Sequence, residues 1–172
     1  MGASSVRKGK AFERWVANAL REGLGLSREE CKRGVAQSRG GGVEVPDVML
    51  PPELPLHLEC KDSEGVSPAA AMRQAVADAL RAGGGRFPVA VVKRLRKPPE
   101  VYLRALDAGV LFASATAGIA LAPLPMTVLA RLPDGERHPL EEVLVRVTWA
   151  DFVALCARWY RAPRVHALAG GA

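Results

Sequence analysis

The stretch PDVMLPPELPLHLECK, residues 46–61, decides how this chain is read. Its ends, Asp47–Leu50 and Leu56–Lys61, have strand character, and Pro51-Pro52-Glu53-Leu54-Pro55 between them is a turn. A hairpin symmetric about Glu53 sets Leu50 opposite Leu56 and Asp47 opposite Glu59. Opposed residues on neighbouring strands have Cβ atoms roughly 5 Å apart. Two carboxylates placed so repel unless something neutralises them, and a divalent cation is the common solution. Lys61 lies two residues beyond Glu59, so the pleat returns it to the same face. Asp, Glu and Lys converging at one point make a metal cage plus a cationic group that can orient or deprotonate a water.

Upstream, Phe12, Trp15, Val16, Ala19 and Leu20 recur at helical spacing between Lys8 and Leu24, and Gly23 and Gly25 stop the pattern. Cys31–Gln37 reads as a short strand leading into the glycine-rich loop 38–42. Downstream, Ser67-Pro68 is an N-cap followed by proline at the first helical position, and the helix it opens runs through Met72, Val76 and Leu80 to Gly83. Phe87–Val92 is an apolar, β-branched run of the kind a buried strand uses. Helix, strands, helix, strand describe an α/β core. After the boundary at Pro98-Pro99 the pattern is harder to read. Residues 108–130 carry no charge, but Pro123, Pro125, two glycines and three Ser/Thr argue against a membrane span and for a buried hairpin or subunit interface. Val128–Leu132 and Val143–Val147 read as strands about an Asp134-Gly135 turn. Thr148-Trp149-Ala150-Asp151 resembles a capping box, with Asp in the place of Glu, opening a last helix whose face is Phe152, Leu155, Cys156 and Trp159. The tail from Pro163 reads as frayed.

Composition bounds the function. The 172 residues suit one domain, or one with an elaboration, and their formal charge of +6 makes a polyanion a plausible partner. That charge is uneven: residues 1–40 carry a net +5, 41–85 a net −4, 86–104 a net +5, and the rest balance. The acidic segment is the one holding Asp47 and Glu59. Three scattered cysteines give neither a disulfide framework nor a zinc site and fit a reducing cytoplasm. The N-terminal residues show no apolar signal core. Few Asn and Gln fit a thermophile or a GC-rich genome. His57, His138 and His166 form no metal-spaced cluster, and His57 reads as a half-buried strand residue. The glycine triplets lack the Lys-Ser/Thr of a P-loop, and no nucleophile motif is present. The three tryptophans read as packing residues. Glu13 is either a third carboxylate reaching the metal or a surface glutamate paired with Arg14 or Lys10, and local pattern alone favours the surface.

Pro46-Asp47, eleven residues, then Glu59-Cys60-Lys61 resembles the PD-(D/E)xK nuclease signature. Arg7-Lys8-Gly9-Lys10-Ala11-Phe12-Glu13 resembles the opening of archaeal-type Holliday junction resolvases, a branch of that superfamily, over about residues 6–93. The resemblance implies a restriction-endonuclease-like α/β core, with a central mixed sheet flanked by helices over residues 1–97. A C-terminal elaboration over 98–172 would pack on the same domain and offer a dimer surface through the uncharged region or the apolar last helix. It implies Asp47, Glu59, the Cys60 carbonyl and Glu13 as metal ligands and Lys61 as the catalytic lysine. Gln74 would be a supporting polar residue, against a solvated helix glutamine, and Ser38 a loop serine near the scissile phosphate. Arg7, Lys8, Lys10, Arg14 and Arg39 would hold DNA. Mg²⁺, or Mn²⁺ in its place, would be the cofactor, a four-way DNA junction the substrate, a homodimer the working form, and the cytoplasm (the host's, for a phage-borne chain) the location. Another endonuclease of the superfamily acting on linear or damaged duplex, and a non-enzymatic basic DNA-binding protein, remain open beside it.

Overall fold

In the computed structural model, residues 3–34, 45–83, 85–116, 127–130 and 143–161 are described. Helix α1 (Ala3–Leu24) is followed by strands β1 (Lys32–Arg33), β2 (Val48–Met49) and β3 (Leu56–Asp62), helix α2 (Pro68–Arg81) and strand β4 (Phe87–Lys93). Strand β5 (Glu100–Arg104), helix α3 (Ala105–Thr116), strands β6 (Thr127–Ala130) and β7 (Leu144–Thr148) and helix α4 (Trp149–Arg161) complete it. All seven strands join one mixed sheet in the order β1-β2-β3-β4-β5-β7-β6. Only β3 and β4 run parallel, with α2 as their crossover, and every other pairing is antiparallel. The sheet is therefore continuous across Pro98-Pro99, because β5 starts at the next residue and pairs with both β4 and β7.

Strand alternation sorts the side chains to two faces. Leu56, Leu58 and Cys60 of β3 join Val89 and Val91 of β4 in the larger core, with Phe12, Val16 and Leu20 of α1 and Phe152, Leu155 and Cys156 of α4. Ala90, Val92 and Tyr102 lie on the other face under Ala71, Met72 and Ala75 of α2. His57, Glu59 and Lys61 share that second face. Ser67 caps α2 as its sequence predicts: its hydroxyl accepts from the Ala70 N–H at 3.2 Å, and Pro68 takes the first helical position. Thr148 caps α4 in a variant of the predicted box, accepting from the Asp151 N–H and donating its own proton to the Asp151 carboxylate at 2.5 Å.

Several expectations change. The charge-free region does not begin as a hairpin, since residues 105–116 form α3, which packs on α4 and buries Ala108 and Leu111. The apolar face of α4 is also spent inside the chain: Phe152, Leu155 and Cys156 are buried against α1 and α3, so that face is not available to a second copy. Leu80 is 69 % exposed, and the α2 stripe that packs is Ala71, Met72, Ala75 and Ala79. Trp15 is 42 % exposed, held by Phe12 and Trp149 rings at 5.9 and 5.2 Å between centroids. His57 is fully buried, not half-buried. Cys31, Cys60 and Cys156 are buried free thiols. No helix among the described residues is long and apolar enough to cross a membrane.

Candidate active site

The hairpin register is the one the sequence implies. Val48 pairs with Leu58, and the Asp47 N–H donates to the Leu58 carbonyl at 3.0 Å, which brings Asp47 beside Glu59. The ladder between β2 and β3 is short, so Asp47 stands where the two strands separate. Its carboxylate Oδ2 accepts the Cys60 N–H at 2.8 Å and is thereby fixed across β3. Glu59 is only 6 % exposed, and the Lys61 ammonium sits 2.5 Å from its Oε1 on the same face. The Cys60 side chain points the other way into the larger core, so only its main chain faces this site.

Burial dominates the electrostatics. It pushes the Asp47 carboxyl up to about 6, helped by the nearby negative charges of Glu13 and Asp78 and opposed by the Cys60 N–H and Lys61. It pushes Glu59 up to about 7, with Asp47 and then Asp78 adding to the rise and Lys61 opposing it. Two carboxylates thus share a partly dehydrated site with one ammonium, which contacts Glu59, a donor set of hard oxygen atoms with surplus negative charge. That is the chemistry a divalent cation such as Mg²⁺ satisfies, so Asp47 and Glu59 fit such an ion.

The remaining expected residues distribute unevenly. Glu13 is not a surface glutamate: its side chain is 16 % exposed, and it accepts from Arg33 Nη1 at 3.1 Å instead of pairing with Arg14 or Lys10. Its charge reaches Asp47, yet among the described residues no group of three or more His, Cys, Asp or Glu side chains is placed to hold a metal ion. Glu13 therefore stands near the Asp47–Glu59 pair with its carboxylate engaged by Arg33. Gln74 is exposed on α2, where its amide donates to Asp78 of the same helix at 3.5 Å. Ser38 and Arg39 lie outside the described residues. Arg7, Lys8, Lys10 and Arg14 are all exposed on α1.

Two residues near the site were not singled out from the sequence. Asp78 is 4 % exposed on α2, ion-paired with Arg81, and its charge is felt by both Asp47 and Glu59. A carboxylate four residues after Gln74, on the inner face of a helix otherwise packed with alanine and methionine, was the available signal. Arg33 enters through β1, whose pairing with β2 sets it opposite Val48, one residue from Asp47. A basic residue followed by glycine gave no comparable hint.

A family model for the phage putative PDDEXK endonucleases matches residues 4–117. The chain belongs to that family. The match covers about two thirds of the sequence and continues past the expected limit near residue 93, through β5 and α3, so those elements are part of the endonuclease unit. The mixed sheet between helices is the restriction-endonuclease-like α/β architecture of the superfamily. No curated protein and no solved structure matches the chain.

Proposed function

We propose that this PDDEXK endonuclease is a Mg²⁺-dependent deoxyribonuclease that resolves four-way DNA junctions as a symmetric homodimer. The observation that carries the nuclease chemistry is the Asp47–Glu59 pair with Lys61 on the same face, held by the Cys60 N–H and the β2–β3 register. Asp47, Glu59 and the Cys60 carbonyl are the groups that would hold the ion. When bound, such an ion lowers the pKa of a coordinated water and stabilises the charge that builds on the phosphate. Lys61 orients the attacking water and offers a positive charge to the phosphate oxygens. Asp47 is anchored through Oδ2, and its second oxygen is the one that would meet the ion. Glu13 holds Arg33 next to the hairpin, and the exposed bases of α1 engage the DNA backbone.

Junction choice rests on the resemblance of Arg7–Glu13 to the resolvase opening, and paired cuts on two strands require two active sites, hence a twofold dimer. Another endonuclease of the family cutting linear duplex is the second reading, favoured by a match described only as endonuclease that extends through α3. The deciding experiment sets a labelled four-way junction beside a linear duplex of the same sequence, with Mg²⁺ or EDTA. Junction cleavage in Mg²⁺ alone, by a dimer in sedimentation, is the expected result. Equal cleavage of both substrates selects the second reading, and no cleavage of either overturns both.

A further inference from the structure

A cleft of about 600 Å³ lies between the second half of α1 and the segment leading into β1. Its charged lining is Arg14, Arg21, Arg28, Lys32 and Arg33, against the single carboxylate Glu29. Glu29 is spent on Lys32, 3.4 Å away, and Arg33 is held by Glu13. Among the described residues Arg21 reaches only the Asn18 amide oxygen, at 2.5 Å, and neither Arg14 nor Arg28 has a carboxylate partner. Crowded like charges on a concave surface repel, so the fold gains nothing from gathering them. A polyanion relieves that repulsion.

The cleft's position names the polyanion. Its inner end is Arg33, one register step from Asp47 and ion-paired with the Glu13 carboxylate whose field reaches Asp47. Its length follows α1: Arg14 to Arg21 is two helical turns, roughly 10 Å, long enough to meet more than one phosphate of a strand. Alanine is the one apolar lining residue, so there is no anchor for a lipid or an apolar peptide. Resting on the nuclease reading for its partner, we infer that this cleft is a phosphate track that grips one DNA strand beside the scissile bond. It extends the contact surface beyond the basic opening of α1 to Arg21, Arg28 and Lys32, with guanidinium groups suited to bidentate phosphate contacts.

The test is fluorescence anisotropy of a labelled duplex in EDTA over a salt series, comparing the unmodified chain with the Arg21→Ala/Arg28→Ala variant. Each lost phosphate contact removes about 0.9 from the slope of log affinity against log salt. The double variant should lose nearly two and bind at least tenfold more weakly at low salt, while Arg21→Lys/Arg28→Lys should keep the slope. An unchanged slope in a variant that melts normally overturns the inference. Should the double variant not fold, Arg28→Ala alone, at an exposed position, should lose nearly one, and an unchanged slope there overturns it equally. Cleavage by the unmodified chain in Mg²⁺ is scored separately. Cleavage with an unaltered slope in the variant removes the track and leaves the nuclease. A reduced slope without cleavage by the unmodified chain keeps the track and removes the nuclease.

Discussion

Asp47→Asn should make the metal-free protein more stable at pH 8, although the same change should abolish cleavage. Asp47 has an ordinary pKa of 3.8 that burial raises to about 6. A raised carboxyl favours folding below its unfolded pKa and works against it as pH climbs through the folded value. Two pH units at about 1.4 kcal/mol each set an upper bound of about 3 kcal/mol. The group keeps some water and is coupled to Glu59, so a gain of about 1–2 kcal/mol is the working figure. Asparagine retains the oxygen that accepts the Cys60 N–H and leaves Glu59 and Lys61 as a neutral pair. In thermal unfolding with EDTA, the variant should melt about 2–8 °C above the parent at pH 8 and lose most of that advantage by about pH 4.5. Mg²⁺ should reverse the order, since a ligand at a hundred times its Kd adds about 2.7 kcal/mol to the form that binds it and the variant lacks one ligand. A variant destabilised equally at both pH values would refute the reasoning, because the Asp47 charge would then be favourable in the fold.

Three further outcomes follow from the same geometry. Lys61→Ala leaves Asp47 and Glu59 without their shared cation, so it should lower single-turnover cleavage by about 10²–10⁴-fold, and metal-free melts should show a loss of about 1–3 kcal/mol at pH 8. Gly34→Ala would place its Cβ on the Pro46 carbonyl oxygen next to Asp47, so chemical denaturation should register a loss of about 1–3 kcal/mol, and Mg²⁺ titration a weakened site. Glu100 receives Arg94, Tyr102 and Arg146 at 2.8–2.9 Å, and although burial raises its pKa, these hydrogen bonds prevail and hold it below the ordinary value. Glu100→Gln should therefore cost about 1–2 kcal/mol at pH 7 in a melt, and the cost should shrink as pH falls through the carboxylate range, where the parent loses the same charge.

The parts of the fold legible in the sequence are those encoded within a few residues of one another. The Ser67-Pro68 start of α2, the buried run of β4 and the turn at Pro51–Pro55 all carry their signal locally, and all three stand in the structure. The uncharged stretch over α3 is the exception after residue 98, because an apolar helix packed in the interior has little amphipathic contrast and resembles a loop or strand region in sequence. Strand β5 begins straight after two prolines, which by local rules announce a boundary. Only its partners β4 and β7 make it a central strand.

The candidate site divides in the same way. By itself the sequence determined that Asp47, Glu59 and Lys61 share a face, because a period of two and a turn of known length leave one register that buries Val48 and Leu58 together. Tertiary structure alone decided what surrounds them. Arg33 reaches Glu13 across twenty residues, Asp78 approaches from α2, the crossover between β3 and β4, and five cations from two segments meet in one cleft. Those contacts, and the dehydration that lifts the Asp47 and Glu59 carboxyls, depend on how whole elements pack against the sheet, which no local spacing records.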